Sequence, residues 1–281
     1  MIYIRGLHEI DIPYKGLVVD LWGVMHNGKA LFPQAIEALR SAKAEGKSVT
    51  LLSNAPRRRD AALEKLTDLG LSTDLFDDLI TSGEITWQAI HTGKTEHWGP
   101  RAYLLGAGAD RDIKRGLGGL EFVEDLDQAQ WILNVGPPSG HEDTGPFEDL
   151  IGRALDRKLP MICANPDLIV QRGANLEICA GAIAKTYEER GGNLIWLGKP
   201  HGEVYQAVFK SSGLKAADLL AVGDSFKTDV RGANQQGMPV MYVNSGIHGC
   251  TIGRPLDLWR VRDLATAHQA IPTYVAEAFA P

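Results

Sequence analysis

Cysteine is scarce in this chain, with three in 281 residues: Cys163, Cys179 and Cys250. An odd, scattered set excludes a disulfide framework and lacks the paired spacing of a zinc site, so buried thiols in a reducing compartment are expected. Long apolar runs are missing as well. No segment approaches the roughly 20 residues needed to span a bilayer, and the N-terminal stretch MIYIRGLHEIDIPYKG has no apolar core of the signal-peptide kind. These features predict a cytoplasmic protein with no membrane partner. Basic runs are short, Arg57-Arg58-Arg59 among them, and 29 Lys and Arg stand against 35 Asp and Glu, a formal net charge of -6. That balance excludes a general nucleic-acid binder.

What remains has globular proportions, 44% hydrophobic and 23% charged, in a chain long enough for one large or two ordinary domains. The stretch LVVDLWGVMHNG (17–28) organises it. Its apolar start has no alternation, which suits a strand buried on both faces. A helix is predicted over 34–45, stopping at Gly46, then a strand over 48–52, a helix from Pro56 to about 69 and a strand over 76–80, with Thr81-Ser82-Gly83 as a break. This order with short loops predicts a parallel sheet wound by helices.

The pattern restarts at about residue 84. Strands are predicted over 103–105, 121–123, 131–135 and 161–164, and helices over 147–157 and 177–190, the second ended by Gly191-Gly192. The Gly- and Pro-dense loop 136–145 is of a kind that is often functional. The first pattern then resumes, with strands at 194–197, 219–222 and 240–243 and helices at 203–210 and 229–236. We therefore expect an α/β fold with 1–83 and 197–281 as one domain and 84–196 as a second α/β domain inserted into it. Two glycine-containing runs are decoys. In 106–116, Arg111 occupies the third glycine position of a dinucleotide loop, and Gly93-Lys94-Thr95 lacks the upstream P-loop glycine, because position 88 is Gln.

Four polar signals fall where predicted core strands end: Asp20 after LVV, Ser53 after TLL, Lys199 after IWLG, and Asp224 in AVGDSFKTD, with Asp229 five residues on. In an open α/β sheet such ends converge on one crevice. The chemistry that suits them is phosphoryl transfer. Asp20 and Asp224 with a backbone carbonyl can hold Mg²⁺, which prefers oxygen ligands, and Asp20 can also attack phosphorus. Ser53 and nearby amides can hold phosphoryl oxygens while Lys199 offsets charge around the nucleophile. For Asp229 two readings stand, bracing the metal site or capping a helix.

The segments DLWGVMHNG, LLSN, GKP and GDSFKTD resemble the four motifs of the haloacid dehalogenase-like superfamily. More closely, they are similar to its class II branch (subfamily IIA), in which a large α/β cap lies between the second and third motifs. CANPDLIV (163–170) and AGAIAKTYEERGG are similar to cap sequence of that branch. Members include bacterial sugar-phosphate, 4-nitrophenyl and pyridoxal-phosphate phosphatases. The resemblance implies a Rossmann-like core and Mg²⁺-dependent hydrolysis of a small phosphorylated metabolite, such as a sugar phosphate, through an aspartyl-phosphate. It assigns Asp20, Ser53 and Lys199 to catalysis and Asp20, Asp224 and the Trp22 carbonyl to the metal. Cap surfaces offer homodimer interfaces in related proteins.

One position departs from the pattern. Family phosphatases usually carry a second Asp two residues after the nucleophile as general acid and base, and here that residue is Trp22. Indole donates a hydrogen bond but shuttles no proton at neutral pH, so an alternative is a degenerate member that binds a phosphate ester with little or no turnover. The halide-releasing branch also has an aromatic residue there, but it lacks a carboxylate like Asp224. His26, His201 and His248 are candidates for the missing acid, against a plain reading as solvated loop residues. Asn54 extends the Ser53 motif toward substrate. Asn165 and Asp167 read equally well as substrate contacts or as an Asx turn around Pro166. Trp87, Trp98, Trp131 and Trp196 read as packing residues.

Overall fold

The computed structural model of the chain describes residues 1–172 and 175–281; the side chains of 109–111 and 172, Arg111 included, lie outside the described residues. The chain divides into two compact units. The first comprises residues 1–53, 63–80 and 199–281, and the second 54–62 and 81–198.

The first unit is built on a seven-stranded sheet. Its order is Ile2–Tyr3, Tyr274–Ala276, Val240–Val243, Leu219–Gly223, Gly16–Val19, Ser48–Ser53 and Asp78–Thr81. The five ladders from Ile2–Tyr3 across to Ser48–Ser53 are all parallel. Gly16–Val19 is buried along its whole length, as its unbroken apolar run requires for a central strand of a parallel sheet. From this strand the chain passes to Ser48–Ser53 on one side, whereas Leu219–Gly223 is followed by Val240–Val243 on the other. The order of the sheet therefore reverses between Gly16–Val19 and Leu219–Gly223, where Val19 pairs with Val222.

The second unit carries a five-stranded sheet in the order Leu194–Trp196, Met161–Cys163, Trp131–Asn134, Arg101–Leu105 and Glu121–Val123, every ladder parallel. Side chains alternate between two cores along each strand. Trp131 and Leu133 enter one cluster with Ile162 and Ile90, while Ile132 enters the other with Met161, Ile151 and Tyr187. The tryptophans pack: Trp131 is fully buried and donates from its indole to the Gly99 carbonyl at 3.1 Å, and Trp98 lies against its ring. Among the described residues, no helix is long and apolar enough to cross a membrane.

Four expectations need correction. Leu194–Trp196 does not rejoin the first sheet but pairs with Met161–Cys163 in the second; a short apolar run carries no information about which sheet it joins. Thr81-Ser82-Gly83 is not a break, since Ser82–His91 is a helix whose cap is the Thr81 hydroxyl, accepting from Glu84 N at 3.1 Å. Thr-x-x-Glu is the sequence of a capping box, which the turn-forming Ser-Gly pair obscured. The helix expected from 177 begins at Ala180, because Ile169–Arg172 and Asn175–Ile178 pair as an antiparallel hairpin first. Cys163 and Cys179 are buried as expected, but Cys250 is exposed.

Candidate active site

The site is assembled where the order of the first sheet reverses, the position at which ligands bind in open α/β sheets. Asp20 follows Gly16–Val19, and its N–H donates to the Val222 carbonyl at 2.9 Å, which ties it to the neighbouring strand. Asp224 follows that neighbour, Leu219–Gly223. A wide helical turn, Phe226–Val230, then brings Asp229 back, and it leads into the helix Arg231–Gln235. Carboxylate oxygens of Asp20, Asp224 and Asp229 all lie within 4.8 Å of one another, and all three residues are buried.

Three carboxylates in so small a buried volume demand positive charge. Lys199, 3% exposed, supplies one ammonium. It donates to Asp20 Oδ1, to Asp229 Oδ1 at 2.7 Å and to the Leu52 carbonyl at 3.2 Å, so its three protons are all used. Asp229 accepts a further bond from Ser225 N at 3.2 Å. Ile247 N donates to Asp224 Oδ2 at 2.7 Å. Burial, followed by the charges of Asp20 and Asp229, pushes the Asp224 carboxyl well above the usual range. A cluster of hard oxygen donors that one ammonium leaves undercompensated fits a divalent cation of the Mg²⁺ class.

Backbone geometry serves this packing at two glycines. Gly23 sits at φ +82°, and a Cβ there would run into the Asp224 carboxylate. Gly223 lies directly against the Asp229 side chain. Ser53 is buried at the end of Ser48–Ser53 in the same unit.

Sequence reasoning missed the segment Ser245–Ile247, in which Ser245 Oγ donates to the Gly23 carbonyl at 2.5 Å and Ile247 N holds Asp224. A Gly-containing turn after the strand Val240–Val243 was the available signal. His26 is a correction to the solvated-loop reading. It is 7% exposed, and its Nδ1 accepts from Gly28 N at 2.9 Å. Its ring meets Trp22 edge-on at 5.3 Å, and burial lowers its pKa to about 4. His248 is half-buried with its Nε2 unpartnered, and its pKa is also lowered to about 4, chiefly by burial. His201 precedes the helix Gly202–Ser212.

Asn54, Asn165 and Asp167 belong to the second unit and meet one another there. Asn54 Nδ2 donates to Asp167 Oδ1 at 2.8 Å, and Asp167 N donates to Asn165 Oδ1 at 3.0 Å, an Asx turn.

Two family models match the chain, haloacid dehalogenase-like hydrolase over residues 17–119 and a HAD-hydrolase-like model over residues 196–280. A solved hydrolase of the haloacid dehalogenase-like family from Brucella suis 1330 is 31% identical, with 98% of this chain and 99% of that chain covered, at a TM-score of 0.84. The chain is a haloacid dehalogenase-like hydrolase. Among other relatives of this hydrolase, sugar-phosphatase AraL of Bacillus subtilis strain 168 is 26% identical over 86% of this chain and 88% of its own. The p-nitrophenyl phosphatase from Archaeoglobus fulgidus shares the fold, with a TM-score of 0.73 at 23% identity and 95% and 97% of the two chains covered.

Proposed function

We propose that this chain hydrolyses phosphate esters of small metabolites with the help of Mg²⁺. The observation that carries the reading is the buried cluster of Asp20, Asp224 and Asp229 around a single ammonium at the point where the sheet order reverses. The relatives support the coarse reaction, and sugar phosphates and p-nitrophenyl phosphate are the substrates that their names record.

In this reading Asp20, Asp224 and the Trp22 carbonyl are the donors for the cation. When bound, it neutralises charge on the phosphoryl oxygens. Asp20 is the nucleophile: its oxygen attacks phosphorus, the ester bond breaks and an aspartyl-phosphate forms, which water then hydrolyses. Lys199 holds the Asp20 carboxylate in place and offsets the charge that gathers there. Asp229 anchors Lys199, so its part is to position and not to react. Ser53 donates to a phosphoryl oxygen. The inserted unit is assigned substrate selectivity, with Asn54, Asn165 and Asp167 as its polar groups.

The test is a panel of phosphate esters assayed with Mg²⁺ and with a chelator. Turnover that needs Mg²⁺ and disappears in Asp20→Asn is expected. Turnover unaffected by chelator or by that substitution contradicts the reading. A second reading, binding without turnover, is favoured by Trp22, and saturable binding of esters that stay intact would establish it.

A further inference from the structure

We propose that Arg58 and Glu84 form a clasp that places Asn54 for contact with substrate, which makes the pair positioning residues for the selectivity of this hydrolase. The proposal rests on the phosphatase reading and deepens it, because it says what holds one of the polar groups to which selectivity is assigned.

Asn54 follows Ser53 directly and opens the segment 54–62, which belongs to the second unit. The chain beyond it is tied down almost residue by residue. The Ala55 carbonyl accepts from Gly83 N at 3.0 Å, and the Arg57 carbonyl accepts from Thr81 Oγ1 at 2.6 Å. Pro56 stands between them with its φ fixed by the ring. Its carbonyl lies so near Gly83 that a Cβ there would collide with it. The segment is thus pressed against the first turn of the helix Ser82–His91. Asn54 is held at both ends of its amide. Its Nδ2 donates to Asp167 Oδ1 at 2.8 Å, and Gly198, at φ +130°, packs where a Cβ would run into Pro166 and into Asn54 Oδ1.

Arg58 closes the clasp. Its Nε donates to Glu84 Oε2 at 2.6 Å and its Nη2 to Oε1 at 3.3 Å. A fork of this kind fixes direction as well as distance, which a lysine cannot reproduce. Glu84 Oε2 also accepts from Arg59 N at 3.3 Å. The guanidinium lies over the Trp87 ring, 3.8 Å from its centroid, and the Trp87 indole N–H is itself held by the Arg115 carbonyl at 3.0 Å. The two side chains are 28% and 16% exposed, so the pair is only partly screened by solvent. Burial opposes the charge on Glu84, but the bonds from Arg58 outweigh it and hold the carboxyl below its usual range. Its place in the first turn of Ser82–His91 favours the same charge. With Ala55, Arg57, Arg58 and Arg59 all anchored, loss of the fork frees the stretch that sets where Asn54 stands.

The experiment compares wild type with Arg58→Met, Glu84→Gln, their double variant and Arg58→Lys, on the full chain with Mg²⁺, 4-nitrophenyl phosphate and glucose 6-phosphate. KM is read for each ester that is hydrolysed, and Kd for an ester that binds and stays intact. Arg58→Met and Glu84→Gln should raise KM or Kd by about tenfold for at least one ester and alter the ratio between the two, with kcat within about twofold, the pattern of a lost binding interaction. The double variant should be little worse than either single one, because both break the same pair. Arg58→Lys should recover part of the affinity. Hydrogen exchange gives a readout that needs no turnover: peptides over 54–62 should exchange faster in Arg58→Met, and peptides over 48–53 should not. Glu84→Gln keeps the side-chain shape, so it decides the matter even if Arg58→Met fails to fold. Unchanged KM or Kd in a folded variant overturns the proposal and leaves the phosphatase reading intact, and so does exchange over 54–62 that matches wild type. A wild type that neither binds nor hydrolyses either ester overturns the phosphatase reading, and this proposal with it.

Discussion

Lys199→Met removes the ammonium shared by Asp20 and Asp229 while keeping most of the side chain's apolar stem. At 2.7 Å and an effective dielectric near 20, the gross attraction to Asp229 alone is about 6 kcal/mol. Removing a 3% exposed cation also removes the cost of burying it, so the net effect is smaller. Breaking a buried pair by deleting one partner typically costs about 3–5 kcal/mol, and we expect that range here, because three carboxylates would remain within 4.8 Å of one another. Urea unfolding in chelator, compared with wild type, measures it. Mg²⁺ should recover part of the loss by binding the folded state, about 2.7 kcal/mol at a hundredfold excess over its dissociation constant. The double variant Lys199→Met/Asp229→Asn should lose less than the sum of the single losses, since it also removes one of the repelling charges. A loss under about 1 kcal/mol, additive with Asp229→Asn, would refute the charge cluster as the organising feature of the site.

Three further outcomes follow from the same geometry. His26 has a folded pKa of about 4 against an ordinary 6.5, so the unfolded chain binds more protons between those values; the stability it contributes is complete above pH 6.5 and lost as pH falls toward 4. The ceiling on that loss is about 3 kcal/mol, and in His26→Asn, whose Oδ1 can still accept from Gly28 N, the stability profile should be flatter over that window. Gly223→Ala places a Cβ against Asp229, so activity should fall at least tenfold while the circular dichroism spectrum is kept; unchanged kinetics would count against Asp229 as the anchor of Lys199. Thr81→Ala deletes the cap on Ser82–His91 and should cost about 1 kcal/mol, measured by chemical unfolding.

The ends of the central strands were legible because they follow a simple rule. An unbroken apolar run that stops at a carboxylate places Asp20 and Asp224 at the rim of a buried sheet, and the structure brings them together with Asp229. The same rule singled out Ser53 after TLL and Lys199 after IWLG, and the resemblance of four ordered motifs then implied their roles. Other features depend on information that is not local. Leu194–Trp196 is apolar in either sheet, and only its pairing with Met161–Cys163 assigns it. The edge strand Ile2–Tyr3 is two residues long, and it exists because Tyr274–Ala276, from the far end of the chain, lies beside it. Ile247 holds Asp224 through a backbone N–H, a group that every residue except proline carries, so its side chain gives no marker and only the Gly-containing turn after Val240–Val243 pointed to the segment. Burial of His26 was missed for a different reason: its contacts with Trp22 and Gly28 are local, but the loop conformation that makes them is not marked by the residue types.

The central claim is that Asp20 forms a covalent bond to phosphorus. The most direct measurement mixes the enzyme with Mg²⁺ and 4-nitrophenyl phosphate, quenches in acid within the first turnover, and weighs the peptide that contains Asp20. If Trp22 leaves the hydrolysis of the phosphoenzyme without a carboxylate base, as the resemblance to the family implies, the phosphoenzyme should accumulate. The account predicts a peptide heavier by one phosphate in wild type and an unmodified one in Asp20→Asn, which should also release no 4-nitrophenolate. Full release of 4-nitrophenolate from an enzyme whose Asp20 peptide stays unmodified, together with undiminished turnover by Asp20→Asn, would contradict it.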